Sequence, residues 1–178
     1  SQGGVSRSCD ILRASLPAHL PWIRTLLIAG KDGRVQCATN NIFVGVDLSD
    51  RPYFRKMRET GGFVLSDYLF GRASHEPTIV AAYPVAAVDS DEDAFVIATV
   101  NLDWMSLNMS NLGGRPGVSA VLVDSVGTVI AAPPDQASMI GRPLDHLPLL
   151  SAIAEQALNS DRPGGTISFT AADGSKRA

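Results

Sequence analysis

The sequence predicts an α+β fold built from two tandem related modules, each an antiparallel sheet flanked by helices, with a long N-terminal helix and an incomplete second module. Three observations predict it. Leu26-Leu27-Ile28-Ala29-Gly30-Lys31-Asp32-Gly33-Arg34-Val35-Gln36-Cys37 reads as strand, tight turn, strand, and Val121-Leu122-Val123-Asp124-Ser125-Val126-Gly127-Thr128-Val129-Ile130 states the same pattern about 95 residues later. Each hairpin then runs through a short glycine-containing stretch, Val44-Gly45-Val46-Asp47-Leu48 and Ile140-Gly141-Arg142-Pro143-Leu144, into a helix opening. Finally, the first copy continues through further β-branched strands after its helix, whereas the second reaches Ala178 before their equivalents.

Asp10 to Leu16 has helical spacing at Ile11, Leu12 and Leu16, and Pro17 stops it, so it reads as the end of a longer helix. Trp22 to Ala29 forms a strand, Lys31-Asp32-Gly33 supplies the glycine that a short hairpin turn requires, and Arg34 to Thr39 returns. Asp50 is placed to cap a helix over Arg51 to Thr60, with Pro52 in the first turn, where its missing N–H costs nothing, and Gly61-Gly62 at the end. Phe63 to Phe70 resumes extended structure, Gly71 to Pro77 is a polar turn, and Thr78 to Val85 completes a second hairpin. Ala94 to Leu102 is a further strand, Asp103 to Asn111 a short helix, and Gly113-Gly114-Arg115-Pro116-Gly117 breaks the chain between modules 1–112 and 118–178. The second copy adds a Pro133-Pro134 loop, a helix over Leu149 to Leu158, and a strand from Gly165 to Thr170 meeting an Asp173-Gly174 turn.

Composition excludes several classes. No apolar run in the 178 residues approaches the ~20 that a membrane helix needs. A net charge of -3 without a long Lys/Arg cluster argues against a nucleic-acid partner. His19, His75 and His146 are isolated from any partner at metal-ligand or triad spacing, and no glycine-rich loop both follows a strand and opens a helix, so no catalytic residue, metal or cofactor is expected. The acidic run Asp89-Ser90-Asp91-Glu92-Asp93 lacks the glycine and distal glutamate of a calcium loop and reads as a solvated hairpin tip. Cys9 lies in the N-terminal helix and Cys37 at the end of a strand that this helix would cover. A bridge between them is geometrically possible and would place the region outside the cytoplasm; two buried thiols are the alternative.

The two helix openings differ in chemistry. Where the first copy has Arg51, Tyr53 and Phe54, the second has His146, Pro148 and Leu149, a set poorer in groups able to grip a charged ligand. The first module is therefore the expected receptor. Arginine presents a planar fork suited to a carboxylate, and a helix N-terminus favours an anion. Tyr53, Phe54 and Tyr68 would supply apolar walls with hydroxyl handles. The competing reading makes Tyr53 and Phe54 core residues and pairs Arg51 with Asp47 or Asp50 at the surface.

Leu48-Ser49-Asp50-Arg51-Pro52-Tyr53-Phe54, Ser66-Asp67-Tyr68, Ala82-Tyr83-Pro84-Val85 and Val100-Asn101-Leu102-Asp103-Trp104, in this order, resemble the double Cache, or tandem PAS-like, extracytoplasmic sensors of bacterial receptors. The resemblance covers nearly the whole chain. It implies a membrane-distal, ligand-binding module with the N-terminal helix and a membrane-proximal second module. It also implies a periplasmic location between transmembrane segments lying outside this sequence, and a cytoplasmic histidine kinase, diguanylate cyclase or chemotaxis output. A homodimer through the N-terminal helix would fit the same plan, and the fragment itself would not be an enzyme. In amino-acid-binding members, an arginine and aromatics at the helix opening and a tyrosine on the next strand hold the carboxylate, and an aspartate on a late strand holds the ammonium. Arg51, Tyr53 and Phe54 stand at the first place and Tyr68 at the second. The third place departs from the pattern: it holds Asn101, which lacks the full charge an ammonium prefers, with Asp103 two residues on and on the same face if the strand continues. Arg72 completes the candidate set, and the implied ligand is a small organic acid or amino-acid-like anion. A module that binds no ligand and acts through dimerisation is the rival from another class.

Overall fold

The computed structural model describes residues 9, 10, 12–14, 20–86, 93–112, 120–143, 169, 170, 176 and 177. Five antiparallel strands form the main sheet: β1 (Ile23–Ala29), β2 (Val35–Ala38), β3 (Val64–Leu65), β6 (Val80–Ala86) and β7 (Asp93–Val100), in the order β2-β1-β7-β6-β3. Between β3 and β6 the chain makes a small ribbon of β4 (Leu69–Phe70) and β5 (Pro77–Thr78). The extended stretch predicted over Phe63 to Phe70 is thus divided at Ser66. There the Ser66 N–H donates to Val80 O at 2.8 Å and its hydroxyl accepts from Val80 N at 2.8 Å, which replaces regular ladder pairing.

Pro84 lies within β6, inside the strand expected from Thr78 to Val85. Val80 turns its N–H and C=O toward β3, so by the two-residue alternation Pro84 turns its missing N–H to the same side. β3 pairs only with Ala82 and Ala81, so no ladder bond is lost there.

One face of the sheet carries the main core. Leu27 and Ala29, Phe95 and Ile97, and Val80 and Ala82 point to it, because directly opposed residues share a face. The helix α1 (Pro52–Thr60) covers this face with Tyr53, Phe54 and Met57, and Gly61 ends it in the left-handed conformation. Phe54 meets Phe95 edge-on at 5.1 Å, and the full burial of Phe54 and Met57 contributes roughly 1.5–3 kcal/mol each. On the other side, a short N-terminal helical segment is tied to β2 by the Cys9–Cys37 disulfide, with Cα atoms 5.4 Å apart, and by Arg13 Nε donating to Ala38 O at 3.1 Å. Among the described residues no helix is long and apolar enough to cross a membrane.

The internal repeat is visible in the backbone. In the first copy Gly33 N donates to Gly30 O, Val35 N to Val46 O, and Gly45 N to Val35 O. In the second, β8 (Leu122–Val123) and β9 (Val129–Ala131) have the same bonds: Gly127 N to Asp124 O, Val129 N to Arg142 O, and Gly141 N to Val129 O. The four glycines Gly33, Gly45, Gly127 and Gly141 all have φ between 80° and 85°. The bridge of Arg34 to Asp47 is matched by that of Thr128 to Pro143. The proline loop predicted at Pro133-Pro134 winds into a 3-10 turn, Pro134–Met139, where the first copy has the shorter Asn41–Phe43. This insertion moves the register from 33 matching 127 to 45 matching 141. Carried along the sequence, the later register sets Leu147, Leu149 and Leu150 opposite Arg51, Tyr53 and Phe54, one place beyond the expected His146, Pro148 and Leu149. Pro148 then aligns with Pro52.

Residues 144–168, including the helix expected over Leu149 to Leu158, lie outside the described residues, as do the acidic run's first four positions and the Asp173-Gly174 turn. Two short strands, β10 (Phe169–Thr170) and β11 (Lys176–Arg177), pair with each other. The helix α2 (Leu102–Leu112) joins the two copies: Leu102 packs with Ile79, Val100 and Ile130, and Met105, Leu122 and Tyr68 border that cluster.

Candidate ligand site

The loop entering α1 is built by local chemistry. Asp47 Oδ1 accepts the Ser49 N–H at 2.9 Å, which holds the carboxyl below its usual range, and Leu48 fills the core beneath. The sequence made Asp50 the helix cap, but the N-cap position belongs to Arg51, whose side chain does no capping. Asp50 instead accepts from Arg72 Nη2 at 2.6 Å, and this hydrogen bond holds its carboxyl below the usual range. Arg72 Nη1 also donates to Asp47 O at 2.7 Å, so Arg72 straps the 71–77 turn across the loop. A charged donor 22 residues away outcompetes the neutral backbone N–H that a cap would bind.

Arg51 is half-buried at this corner and donates through Nη2 to Phe70 O at 3.0 Å. Tyr53 lies under it, 6% exposed; burial pushes its hydroxyl up, against the charge and hydrogen bond of the neighbouring Arg51. Among the described residues Arg51 makes no ion pair, although Arg13, Arg24 and Arg72 each do. The surface pairing of Arg51 with Asp47 or Asp50 is therefore absent, because Ser49 and Arg72 already occupy those carboxylates.

The remaining candidates go elsewhere. Phe54 is wholly buried and belongs to the core behind the site, so it presents no surface to a ligand. Tyr68 is directed at the second copy: its N–H donates to Asp124 Oδ2 at 2.9 Å and its ring lies over Gly141. Asn101 and Asp103 do not share a strand face, since β7 ends at Val100 and Asp103 stands in the first turn of α2. Asn101 Oδ1 accepts from Trp104 N at 3.2 Å, the bond of a helix cap. Both residues also accept from Arg24 Nη2, at 3.3 Å for Asn101 and 2.6 Å for Asp103, while Arg24 Nη1 pairs with Glu76. Arg24 occupies the bulge where the β1–β7 register shifts. Among the described residues no hydrogen bond or ion pair links this cluster to Arg51. Sequence reading passed over Arg24 and Glu76; the signal was a lone charge in the apolar strand Ile23–Ala29.

The structure thus leaves Arg51 and Tyr53 together at a corner over an apolar floor, with the Arg72–Asp50 ion pair alongside. Among the described residues no cluster of His, Cys, Asp and Glu could hold a metal ion.

No protein-family profile matches the chain. Sporulation kinase D of Bacillus subtilis strain 168 is 28% identical over 112 residues, which cover 63% of this chain and 22% of the kinase. An extracellular ligand binding receptor from Desulfohalobium retbaense DSM5692 superposes with a TM-score of 0.73 at 20% identity, over 90% of this chain and 28% of the receptor. The chain has the fold of a Cache-type extracellular sensor domain. The extracellular domain of rpHK1S-Z16, described as a histidine kinase, shares that fold with a TM-score of 0.68 at 22% identity, over 98% of this chain and 78% of its own. The chain spans about a quarter of the receptor and of the kinase it matches.

Proposed function

We propose that the chain is the periplasmic, small-molecule-sensing region of a transmembrane signalling protein, and that Arg51 in the first copy takes the anionic group of its ligand, a small carboxylate or related anion. The observation that carries this reading is that the hydrogen bonds of Arg51 go to a neutral carbonyl and a buried phenol, while Arg72 holds the neighbouring Asp50. A carboxylate offers the guanidinium two charged oxygens for a bidentate pair, where Phe70 O is a single neutral acceptor, so a carboxylate arriving here gains more from the guanidinium than Phe70 O does. The positive end of the nine-residue α1 adds to the attraction.

The extracytoplasmic location is supported by the Cys9–Cys37 bridge, which persists in an oxidising compartment, and by the extracellular neighbours of the same fold. In this reading the rest of the parent protein spans the inner membrane through flanking segments and carries a cytoplasmic histidine kinase, an output supported by the likeness to Sporulation kinase D. A homodimer through the N-terminal helix is part of the same proposal. A ligand would signal by binding one of two arrangements more tightly than the other. Titration calorimetry of the chain against a panel of organic acids and amino acids tests the reading: at least one carboxylate should bind saturably. A flat response across the panel would leave the domain as a dimerisation module.

A further inference from the structure

Resting on that reading, we infer that Tyr68 and Asp124 form the mechanical link through which the state of Arg51 is passed to the second copy. Arg51 Nη2 is bonded to Phe70 O in the two-residue strand β4. The Phe70 ring meets the Tyr68 ring edge-on at 5.7 Å. Tyr68 N–H donates to Asp124 Oδ2, and the other oxygen of that carboxylate accepts from Val126 N at 3.1 Å and Thr128 N at 2.7 Å, which fixes the β8–β9 turn. The Ser125 hydroxyl of the same turn donates to Asp67. Each step is a direct contact, and three hydrogen bonds end on the Asp124 carboxylate.

The second copy is built to receive Tyr68 in a way the first is not. At the repeat position of Asp124 the first copy has Gly30, which has no side-chain acceptor to offer. At the position of Gly141 it has Gly45, around which a Cβ would find nothing within 4 Å. A Cβ on Gly141 would come 2.7 Å from the Tyr68 hydroxyl and 3.0 Å from its ring. Both glycines have φ near 80°, so the backbone turn is shared and the close approach is an addition. An anion on Arg51 competes with Phe70 O for the guanidinium, and β4 has only Leu69 and Phe70 paired to Thr78 and Pro77 to resist the change. The shift reaches Tyr68, the immediate neighbour of β4, and through it Asp124. Tyr68 is thus a positioning residue; the ligand-binding arginine acts through it.

Amide hydrogen exchange on the whole chain tests the link without needing the ligand. Arg51→Ala should raise exchange at the Tyr68, Val126 and Thr128 amides by about fivefold, the value of one lost hydrogen bond, and leave the β1–β7 ladder unchanged. Gly141→Ala, working from the other end, should raise exchange at the Gly71 amide, which follows β4 and donates to Glu76 O. Arg51→Gln replaces Arg51→Ala if the latter unfolds, unfolding being shown by loss of protection in β1–β7. Unchanged second-hairpin amides in a folded Arg51 variant would overturn the link, even if calorimetry finds a ligand. A flat calorimetric panel with altered hairpin amides would keep the link and remove the ligand.

Discussion

The two hairpins of this chain are the same object put to different uses. Both close with a glycine at φ near 84°, and both send a second glycine amide back to the valine of the returning strand. The surroundings of those glycines differ. In the first copy the turn glycine Gly33 is pressed on Ser49, in the loop that presents Arg51; in the second, Gly127 has open space and Gly141 carries the load, under Tyr68. The first hairpin thus supports the loop that carries Arg51, the proposed binding corner, and the second supports a contact with the first. The repeat conserves a backbone, and side chains at three or four positions decide what it does.

The contrast can be broken at several points. The largest loss is expected from Phe54→Ala, which empties the core beneath Arg51 and should cost about 3–5 kcal/mol in a denaturant titration. A loss under about 1 kcal/mol would mean that α1 does not depend on this packing. Next comes the staple, which only the first copy has: replacing Cys9 and Cys37 together by serine opens a loop with a sequence separation of 28 and should lower stability by about 3–4 kcal/mol, with the decrease concentrated in first-copy amides. The smallest effect sharpens the comparison most. Gly127→Ala should cost about 1–2 kcal/mol for the positive φ alone, and Gly33→Ala clearly more, because its Cβ would lie 2.7 Å from Ser49 N and 2.8 Å from Ser49 Cα. Equal costs in thermal unfolding would show that the Ser49 loop yields freely and does not position Arg51.

Much of this was legible in the sequence because the information is local. A glycine after Lys-Asp, a proline at the second place of Arg-Pro-Tyr-Phe and Gly-Gly at a helix end each constrain φ within a few residues, and the turn, the start of α1 and its end follow. The failures are long-range. Whether Asp50 caps its own helix or pairs with an arginine depends on where Arg72 lands, 22 residues on, and Tyr68 was assigned to the ligand because Asp124, 56 residues on, could not be foreseen as its partner. Asp103 was a different kind of miss. Asn101, which caps the Trp104 N–H, stops the strand at once, and an asparagine three places before a bulky apolar residue was a readable signal of a helix start. Arg51 and Tyr53 stand together at the helix opening, whereas Asn101 and Asp103 are held by Arg24.

The central claim is that Arg51, which makes no ion pair among the described residues, makes the first copy a receptor. It is tested most directly by substituting the residue that the second copy carries at that place. Arg51→Leu should keep the wild-type unfolding midpoint within a few degrees and weaken binding of the best carboxylate in the panel by about tenfold or more, as expected when a hydrogen bond to a charged group is removed. Full affinity in a folded Arg51→Leu protein would contradict the account.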